Sequence, residues 1–223
     1  MKRKYGVWYS MYLIKELTDN EILEMYSKYI NDHFPADEVK PLETIGRMLK
    51  EDFYYGLGLY DANGEYKTEE EYENFKEECE EDVAEQLPLI GYAFFVKDTK
   101  ENMLLLDYYA ILEEYRNSGW GSIFLNQMRD IVEDYKGILL ETEDIDFARD
   151  EVEKSLRERR DGFYARNGVI KTDVKSKLFG VNFAIWFYPV KEELTSSECR
   201  ESLINIYKTI VPEHMYEKCV EIW

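Results

Sequence analysis

Residues 113–122 read EEYRNSGWGS, and this stretch carries the strongest functional signal in the chain. It lies between an apolar stretch typical of a β-strand, Met103 to Ile111, and an amphipathic helical pattern. Arg116, Gly119 and Gly121 give the spacing R-x-x-G-x-G. Glycines let backbone N–H groups converge on an anion, and a helix N-terminus adds its positive dipole end. The stretch therefore predicts a pyrophosphate-binding loop, although the same residues also suit a plain turn.

A second motif, FYARNGV at residues 163–169, lies downstream between a predicted helix and a predicted strand. The two motifs together resemble the GNAT superfamily of CoA-dependent N-acetyltransferases, which shows R/Q-x-x-G-x-G/A after its fourth strand and a later F-Y-x-x-x-G-F segment. The match runs from about Leu89 to Tyr188. Two positions depart from the family pattern: Val169 replaces the usual Phe, and Arg157 replaces an Asn that in many members helps to hold CoA.

Periodicity and turn signals predict the order of the other elements. A T-x-x-E capping box at Thr18 starts the first helix, and Pro41 suits the start of the second. Strands are predicted at Tyr12–Leu17, Phe53–Tyr60, Leu89–Val96, Met103–Ile111, Ile138–Glu143, Val169–Thr172 and Val181–Tyr188. A helix over residues 146–167 is predicted before the last two strands. That helix is predicted to break near Asp161-Gly162, and a last helix spans Ser196 to Thr209.

These elements predict one α+β (mixed α/β) domain over residues 1–223. By the resemblance, it is a GNAT-like central mixed, mostly antiparallel sheet flanked by helices. An acidic segment, residues 61–86, is predicted to be an inserted helix with a second capping box at Thr68. Residues 191–223 extend beyond the minimal family fold, and two roles stay open for them: covering the sheet, or mediating a homodimer.

The composition limits the classes of partner. The 223 residues include 47 acidic and 28 basic side chains, for a net charge of −19, which disfavours nucleic acid as a partner. Residues 61–86 hold 12 acidic residues against 2 Lys, and they are either a solvated helix face or a wall that attracts cations. The charge weakly favours a cationic amine substrate, such as a polyamine, an aminoglycoside or a basic peptide.

Cysteine and histidine are too few for several other chemistries. Three Cys without a CxxC pair and only two His predict no metal site and no disulfide framework. No Cys lies near the two motifs, so transfer through a covalent acyl-enzyme is disfavoured. The basic start, Met1 to Lys4, precedes no A-x-A-like cleavage site, and no run spans a bilayer, so we expect a cytoplasmic protein without a membrane partner.

The resemblance implies acetyl-CoA as the acyl donor and assigns residues to it. The backbone of Tyr109, Ala110 and Ile111 would pair with the pantetheine arm as a β-strand does. The loop that would hold the pyrophosphate consists of Arg116, Asn117, Ser118, Gly119, Trp120, Gly121 and Ser122, with the helix starting at Ser122. Arg157 and Arg160 either grip CoA phosphates or pair with the acids around them.

The resemblance also implies catalytic roles. Tyr164 would protonate the departing thiolate, unless it is only a core aromatic residue. Glu141 and Glu143, at i and i+2 on one strand, face the same side and are candidates for binding or deprotonating the amine; Asp107 is a weaker candidate for substrate binding. Each of these carboxylates also suits an ordinary salt bridge.

The segment Phe34 to Glu38 lies between the first two helices and in this family commonly forms one wall of the acceptor site. Glu38 is therefore a candidate for binding the ammonium of a small-molecule or peptide amine, with Asp37 and His33 beside it. The alternative is an ordinary helix connection. For the whole chain, the alternative to an N-acetyltransferase is a non-catalytic acyl-CoA-binding module of the same fold.

Overall fold

The computed structural model describes residues 7–9, 12–62 and 87–223, the first three as backbone only. The predicted acidic helix, including the capping box at Thr68, therefore lies outside the described residues. The described strands are β1 (Val7–Tyr9), β2 (Tyr12–Glu16), β3 (Tyr54–Asp61), β4 (Leu89–Asp98), β5 (Met103–Ile111), β6 (Gly137–Glu143), β7 (Ile170–Leu178), β8 (Val181–Pro189) and β9 (Val220–Ile222).

The helices of the same ranges are α1 (Asp19–His33), α2 (Leu42–Lys50), α3 (Trp120–Ile131), α4 (Glu151–Arg166), α5 (Ser196–Ile210) and α6 (Glu213–Cys219). Two short 3₁₀ turns lie at Glu113–Tyr115 and Ile145–Phe147. None of these helices is both long enough and apolar enough to cross a bilayer.

The described strands form one sheet in the order β1-β2-β3-β4-β5-β6-β8-β7-β9. Neighbouring strands run antiparallel except for β5 and β6, which are parallel and are joined through α3. The mixed, mostly antiparallel sheet predicted from the sequence is confirmed, and so is the hairpin of β4 and β5. The single parallel pair in the described part is where the two halves of the sheet meet.

The pairing of β5 with β6 ends early. Leu104 to Leu106 pair with Ile138 to Leu140, and no later residues of the two strands pair. A β-bulge lies at the same point, because Tyr108 pairs with Phe94 whereas Leu106 pairs with Phe95, which leaves Asp107 as the extra residue. The bulge and the lost pairing open a gap in the middle of the sheet.

Helices cover both faces of the sheet and form two cores. On one face α1, α2 and α5 contribute Ile22, Met48 and Leu203 to a cluster that also contains Leu139 of β6. On the other face α3 and α4 pack on alternate residues of the same strand, since strand side chains point to opposite faces. The gap between β5 and β6 therefore connects two helical layers.

The boundaries of several early elements agree with the predictions. Thr18 caps α1, because its Oγ1 accepts the Glu21 N–H at 3.3 Å while the Glu21 carboxylate accepts the Thr18 N–H at 2.7 Å. Pro41 precedes α2, as predicted, because it fixes φ and lacks an N–H that the first turn would leave unpaired.

Three predictions in the second half of the chain were wrong in extent. Helix α4 begins at Glu151 instead of residue 146, because Asp150 accepts the Glu153 N–H at 2.8 Å and caps it there. It continues through Asp161-Gly162 without a break, since packing of Tyr164 against the sheet outweighs the low helix propensity of one Gly. Strand β7 runs on to Leu178, where the periodicity predicted an end at Thr172.

The C-terminal extension is not only helical. After α5, residues Glu213–Cys219 form α6, and Val220–Ile222 add strand β9 to the edge of β7. Cys199, Leu203 and Ile206 of α5 are fully buried on the sheet. The extension therefore covers the sheet, which was one of the two predicted roles; the homodimer stays a prediction.

Candidate active site

The gap between β5 and β6 is the mouth of a cavity of about 710 Å³. Its lining includes Glu141 and Phe183 on the sheet face that α1, α2 and α5 cover, and Tyr164 of α4 on the other face. The predicted donor residues Tyr109, Ala110, Ile111 and Arg116 line it, as do Glu38 and Asp107. Most of the residues singled out from the sequence therefore meet in one space that passes through the sheet.

The predicted pyrophosphate loop has the backbone that such a role needs. Gly119 has φ +89°, a left-handed conformation that favours glycine, and it is the N-cap of α3. The helix begins at Trp120, two residues before the predicted Ser122. The first helical hydrogen bond runs from the Ile123 N–H to the Gly119 carbonyl at 3.1 Å, so Trp120, Gly121 and Ser122 have no helical acceptor for their N–H groups.

The loop is held against β5 from both ends. Arg116 Nε donates to the Ile111 carbonyl at 2.9 Å, and the Tyr109 hydroxyl donates to the Gly121 carbonyl at 2.6 Å. Phe163 closes the other side, because a Cβ added at Gly121 would lie 3.4 Å from its ring. The two sequence motifs, which lie on α3 and α4, are thus in contact.

The end of β5 presents backbone groups to the gap. The Leu112 N–H donates to the Ile90 carbonyl on β4 at 2.9 Å, and successive residues turn their backbone groups to opposite strand edges. The N–H groups of Tyr109 and Ile111 therefore face away from β4, on the side where β6 has diverged. This geometry suits an extended chain that adds to the strand, as was predicted for the pantetheine arm.

Tyr164 enters the cavity from α4. Only 9% of the residue is exposed, and burial raises the pKa of its hydroxyl to about 12. Within the described part of the chain, no group is hydrogen-bonded to that hydroxyl. A buried phenol that stays protonated and is open to the cavity can donate a proton there.

Glu141 reaches the cavity from the opposite face. The Tyr207 hydroxyl of α5 donates to Glu141 Oε1 and lies 2.7 Å from the Ser176 hydroxyl. Burial raises the pKa of Glu141 to about 7, although Tyr207 and then Lys40 oppose that shift. A carboxyl with a pKa near neutrality can accept and release a proton under ordinary conditions.

Glu143 is on the same strand face but has different neighbours. Arg157 Nη2 lies 2.7 Å from Glu143 Oε1, and Arg160 Nη1 lies 3.4 Å from Oε2. Glu143 lines a second, more open cavity of about 670 Å³ beside α4 and is absent from the lining of the first. The two glutamates share a face, as predicted, but only Glu141 lies in the main cavity.

Arg157 and Arg160 were predicted either to bind CoA phosphates or to pair with nearby acids. Arg157 is buried and donates to Glu143, to Glu153 at 2.8 Å and to the Asp144 carbonyl at 2.5 Å. Arg160 pairs with Glu143 as well. Pairing with acids is therefore what the structure shows for both side chains.

Asp107, the bulged residue of β5, has both oxygens engaged. Lys40 Nζ lies 2.5 Å from Oδ1, and the Tyr54 hydroxyl donates to Oδ2 at 2.8 Å. Burial would lower the pKa of Lys40, but Asp107 holds it above its ordinary value. Asp107 is thus a paired carboxylate, in line with the salt-bridge reading of this residue.

The segment between α1 and α2 forms one wall of the cavity. The Tyr108 hydroxyl donates to the Glu38 carbonyl at 2.8 Å and accepts the Lys40 N–H at 3.0 Å, which fixes the segment on β5. Burial and the nearby Glu143 raise the pKa of Glu38 to about 7. His33 also lines the cavity, with Nδ1 2.9 Å from the Tyr92 hydroxyl.

Sequence reasoning missed Tyr207 and Lys40. Tyr207 lies 66 residues from Glu141 and belongs to the apolar stripe of α5, so its pattern is that of a core aromatic residue. Lys40 lies between Glu38 and Pro41, where nothing in the local pattern distinguishes it from a surface lysine. Neither residue had a sequence signal that could have identified it.

The raised pKa of Glu141 predicts a pH-dependent effect on stability. A carboxyl whose folded pKa exceeds its unfolded value of 4.5 stabilises the fold below pH 4.5, and that contribution is lost as the pH rises through 7. As the pH is raised from 5 to 8, we expect the free energy of unfolding of Glu141→Gln to increase by about 1–3 kcal/mol relative to that of the parent chain. Thermal melts of both proteins at pH 5 and pH 8 would measure this change. A stability difference that is the same at both pH values would contradict the raised pKa of Glu141. Glu143→Gln serves as the comparison.

The fold of this chain is shared by solved structures, although no sequence match was found. No protein-family model matches the chain, and no curated protein sequence matches it significantly. A structure assigned as a GNAT-family acetyltransferase from Bacteroides thetaiotaomicron is 15% identical, with a TM-score of 0.59; the match covers 88% of this chain and 96% of that one.

Two enzymes with stated substrates are also similar. The spermidine N-acetyltransferase of Vibrio cholerae, solved with CoA and spermine, is 9% identical over 82% of this chain and 97% of its own, with a TM-score of 0.52. The ribosomal-protein-S18-alanine N-acetyltransferase of Escherichia coli is 15% identical over 82% and 97%, with a TM-score of 0.51. At these identities the likeness concerns the fold alone, and this chain has the GNAT acetyltransferase fold.

Proposed function

We propose that the protein is an N-acetyltransferase that moves the acetyl group of acetyl-CoA to a primary amine by direct attack in a ternary complex. One observation carries the proposal: Glu141 and Tyr164 line the β5–β6 gap from opposite faces of the sheet. A base on one side and an acid on the other are what aminolysis of a thioester needs. The neighbour solved with CoA and spermine supports the choice of co-substrates.

The donor would bind along the end of β5 and the loop that follows. The free N–H groups of Trp120 to Ser122 and the positive end of α3 suit the pyrophosphate. The pantetheine arm would pair with the backbone of Tyr109 and Ile111, and the thioester would then lie in the gap. An N–H near Ile111 would polarise the thioester carbonyl.

The acceptor would approach from the side of Glu38 and Glu141. An alkylammonium with a pKa near 10 must lose a proton before it can attack, and Glu141 would take that proton directly or through water. The amine nitrogen then bonds to the carbonyl carbon and releases a second proton, the C–S bond breaks, and the thiolate takes the proton of Tyr164. The proton released by the nitrogen restores the Tyr164 hydroxyl through water. Holding the two substrates together would supply much of the rate.

A covalent acyl-enzyme is the less favoured route. Cys199 is fully buried, and burial raises the pKa of its thiol to about 11. Among the described residues, no cysteine lines the cavity. Direct transfer between the bound substrates requires no such nucleophile.

The proposal is tested by measuring CoA release from acetyl-CoA with a panel of amines and a blank without amine. Release above the blank supports the enzyme. A second candidate function, a non-catalytic acyl-CoA-binding module, would show CoA binding by calorimetry without release. The raised pKa of a carboxyl inside the cavity favours catalysis over that alternative.

Replacement of Gly119 tests the donor site. Gly119→Ala places a residue with a Cβ in a left-handed conformation at φ +89°, which costs about 1–2 kcal/mol. The loop can avoid this strain only by relaxing, which would misalign its N–H groups. We expect the Kd for CoA to rise about 10-fold, which corresponds to about 1.4 kcal/mol. Gly180→Ala is the matched control for calorimetry, because Gly180 has φ +92° and an equally open Cβ position. Equal weakening by both variants would contradict the site.

A further inference from the structure

The acceptor half of the cavity has a wall made of apolar side chains. This wall lies at the junction of the β7–β8 hairpin with the end of α5, and its members are Leu178, Phe179, Val181, Phe183, Ile210 and Val211. The carboxylates that line the cavity, Asp37, Glu38, Asp107 and Glu141, come from other elements: the α1–α2 segment, β5 and β6. The described lining therefore combines a set of carboxylates with an apolar wall that different elements contribute.

The apolar wall begins next to Glu141. Ile210 and Val211 follow Tyr207, the partner of Glu141, by three and four residues and so lie one helical turn further along the same face. Phe183 pairs across the strands with Glu143, two residues after Glu141 on the same face of β6. An amine held at Glu141 would thus have its substituent directed onto apolar surface.

Phe179 occupies an unusual backbone position in this wall. It has φ +48°, in the left-handed region that bulky residues rarely adopt, and with Gly180 it forms the two-residue turn between β7 and β8. Its N–H donates to the Cys219 carbonyl at 2.9 Å, and half of the residue is exposed. Turns of this kind usually carry Asn or Gly, so an aromatic side chain is retained here at the expense of backbone strain.

The charges of the cavity suit a substrate that carries its ammonium at one end. Asp107 is already neutralised by Lys40, which leaves Asp37, Glu38 and Glu141 for the amine. A polyamine would place a further ammonium along the apolar wall, whose six side chains carry no charge. Unpaired burial of that charge would disfavour it.

We infer that the acceptor is a primary amine carried on an apolar body, such as an arylalkylamine or a peptide that begins with an apolar residue. This inference rests on the proposed function and adds the class of the acceptor. Phe179 is the specificity-determining residue of the apolar wall.

The test measures kcat/KM with acetyl-CoA and four acceptors: 2-phenylethylamine, a peptide with N-terminal Phe, ethylamine and spermidine. We expect one of the two phenyl acceptors to exceed ethylamine and spermidine by at least about 10-fold, which is the discrimination that an apolar pocket supplies. The two phenyl acceptors distinguish a free amine from a peptide. Preference for spermidine would overturn the inference and leave the acetyltransferase standing, whereas absence of CoA release with every amine would overturn both.

Variants of Phe179 separate recognition from folding. Phe179→Gly removes the ring and the strain together, so we expect an unchanged or higher Tm with a kcat/KM for the preferred phenyl acceptor about 10-fold lower, mainly through KM. Ile170→Ala is the control, because Ile170 is an exposed apolar residue of β7 outside both cavities. Phe179→Leu should restore part of the activity. An unchanged KM in Phe179→Gly would overturn the role of Phe179.

Discussion

Replacing Tyr164 with Phe is expected to lower kcat by about 100- to 10,000-fold, the range that a positioned general acid contributes. The substitution keeps the ring in its packing among Phe163 and Trp186 and removes only the hydroxyl, which has no hydrogen-bond partner in the described part of the chain. Since no partner is left unsatisfied, the fold should lose little stability. The readout is steady-state kcat at saturating acetyl-CoA and amine, with Tm measured in parallel.

Tyr188→Phe is the matched control for this experiment. Tyr188 is a buried tyrosine of the same core, and its hydroxyl donates to Asn126 Oδ1 at 3.0 Å, outside the cavity lining. It should retain kcat. If Tyr164→Phe kept its turnover as well, water or another group would protonate the thiolate, and Tyr164 would be only a core aromatic residue.

Glu141→Gln is expected to produce the second large loss, about 100-fold or more in kcat/KM for the amine. A carboxylate with a pKa of about 7 has to be ionised to accept a proton, so the activity of the parent enzyme should rise with pH through 7. The Gln variant keeps the shape and a hydrogen bond from Tyr207 but cannot take the proton. Its residual activity should lack that rise, which a pH profile of kcat/KM would reveal.

Glu143→Gln is the informative comparison, because it lies on the same strand face two residues away. It would weaken the ion pairs with Arg157 and Arg160 and should lower Tm more than kcat. Breaking a pair with a buried arginine leaves an uncompensated charge. A larger loss of kcat/KM in Glu143→Gln than in Glu141→Gln would move the base to Glu143.

The features assigned to the proposed donor half of the site have local sequence signals. The spacing of Gly119 and Gly121 requires a particular backbone, and the hairpin of β4 and β5 follows from two apolar runs joined by a polar turn. The start of α3 was misplaced by only two residues. Such features depend on neighbours a few positions apart, where steric rules act strongly.

The choice between Glu141 and Glu143 needed the tertiary structure. Both glutamates have the same spacing and the same strand, and they differ in what packs on them: Tyr207 from the C-terminal extension on one, Arg157 from α4 on the other. The bulge at Asp107 and its pairing with Lys40 were equally invisible in the local pattern.

Local sequence was thus sufficient for most of the strands, the two motifs and the glycine loop, because backbone preference and strand alternation act over a few residues. The mixed, mostly antiparallel sheet was implied by the family resemblance. Packing alone decided which carboxylate has a raised pKa, which arginines are paired, and that the C-terminal extension contributes Ile210 and Val211 to the apolar wall of the proposed acceptor site. Burial and electrostatic interaction depend on residues that are distant in the chain, and folding brings them together only in three dimensions.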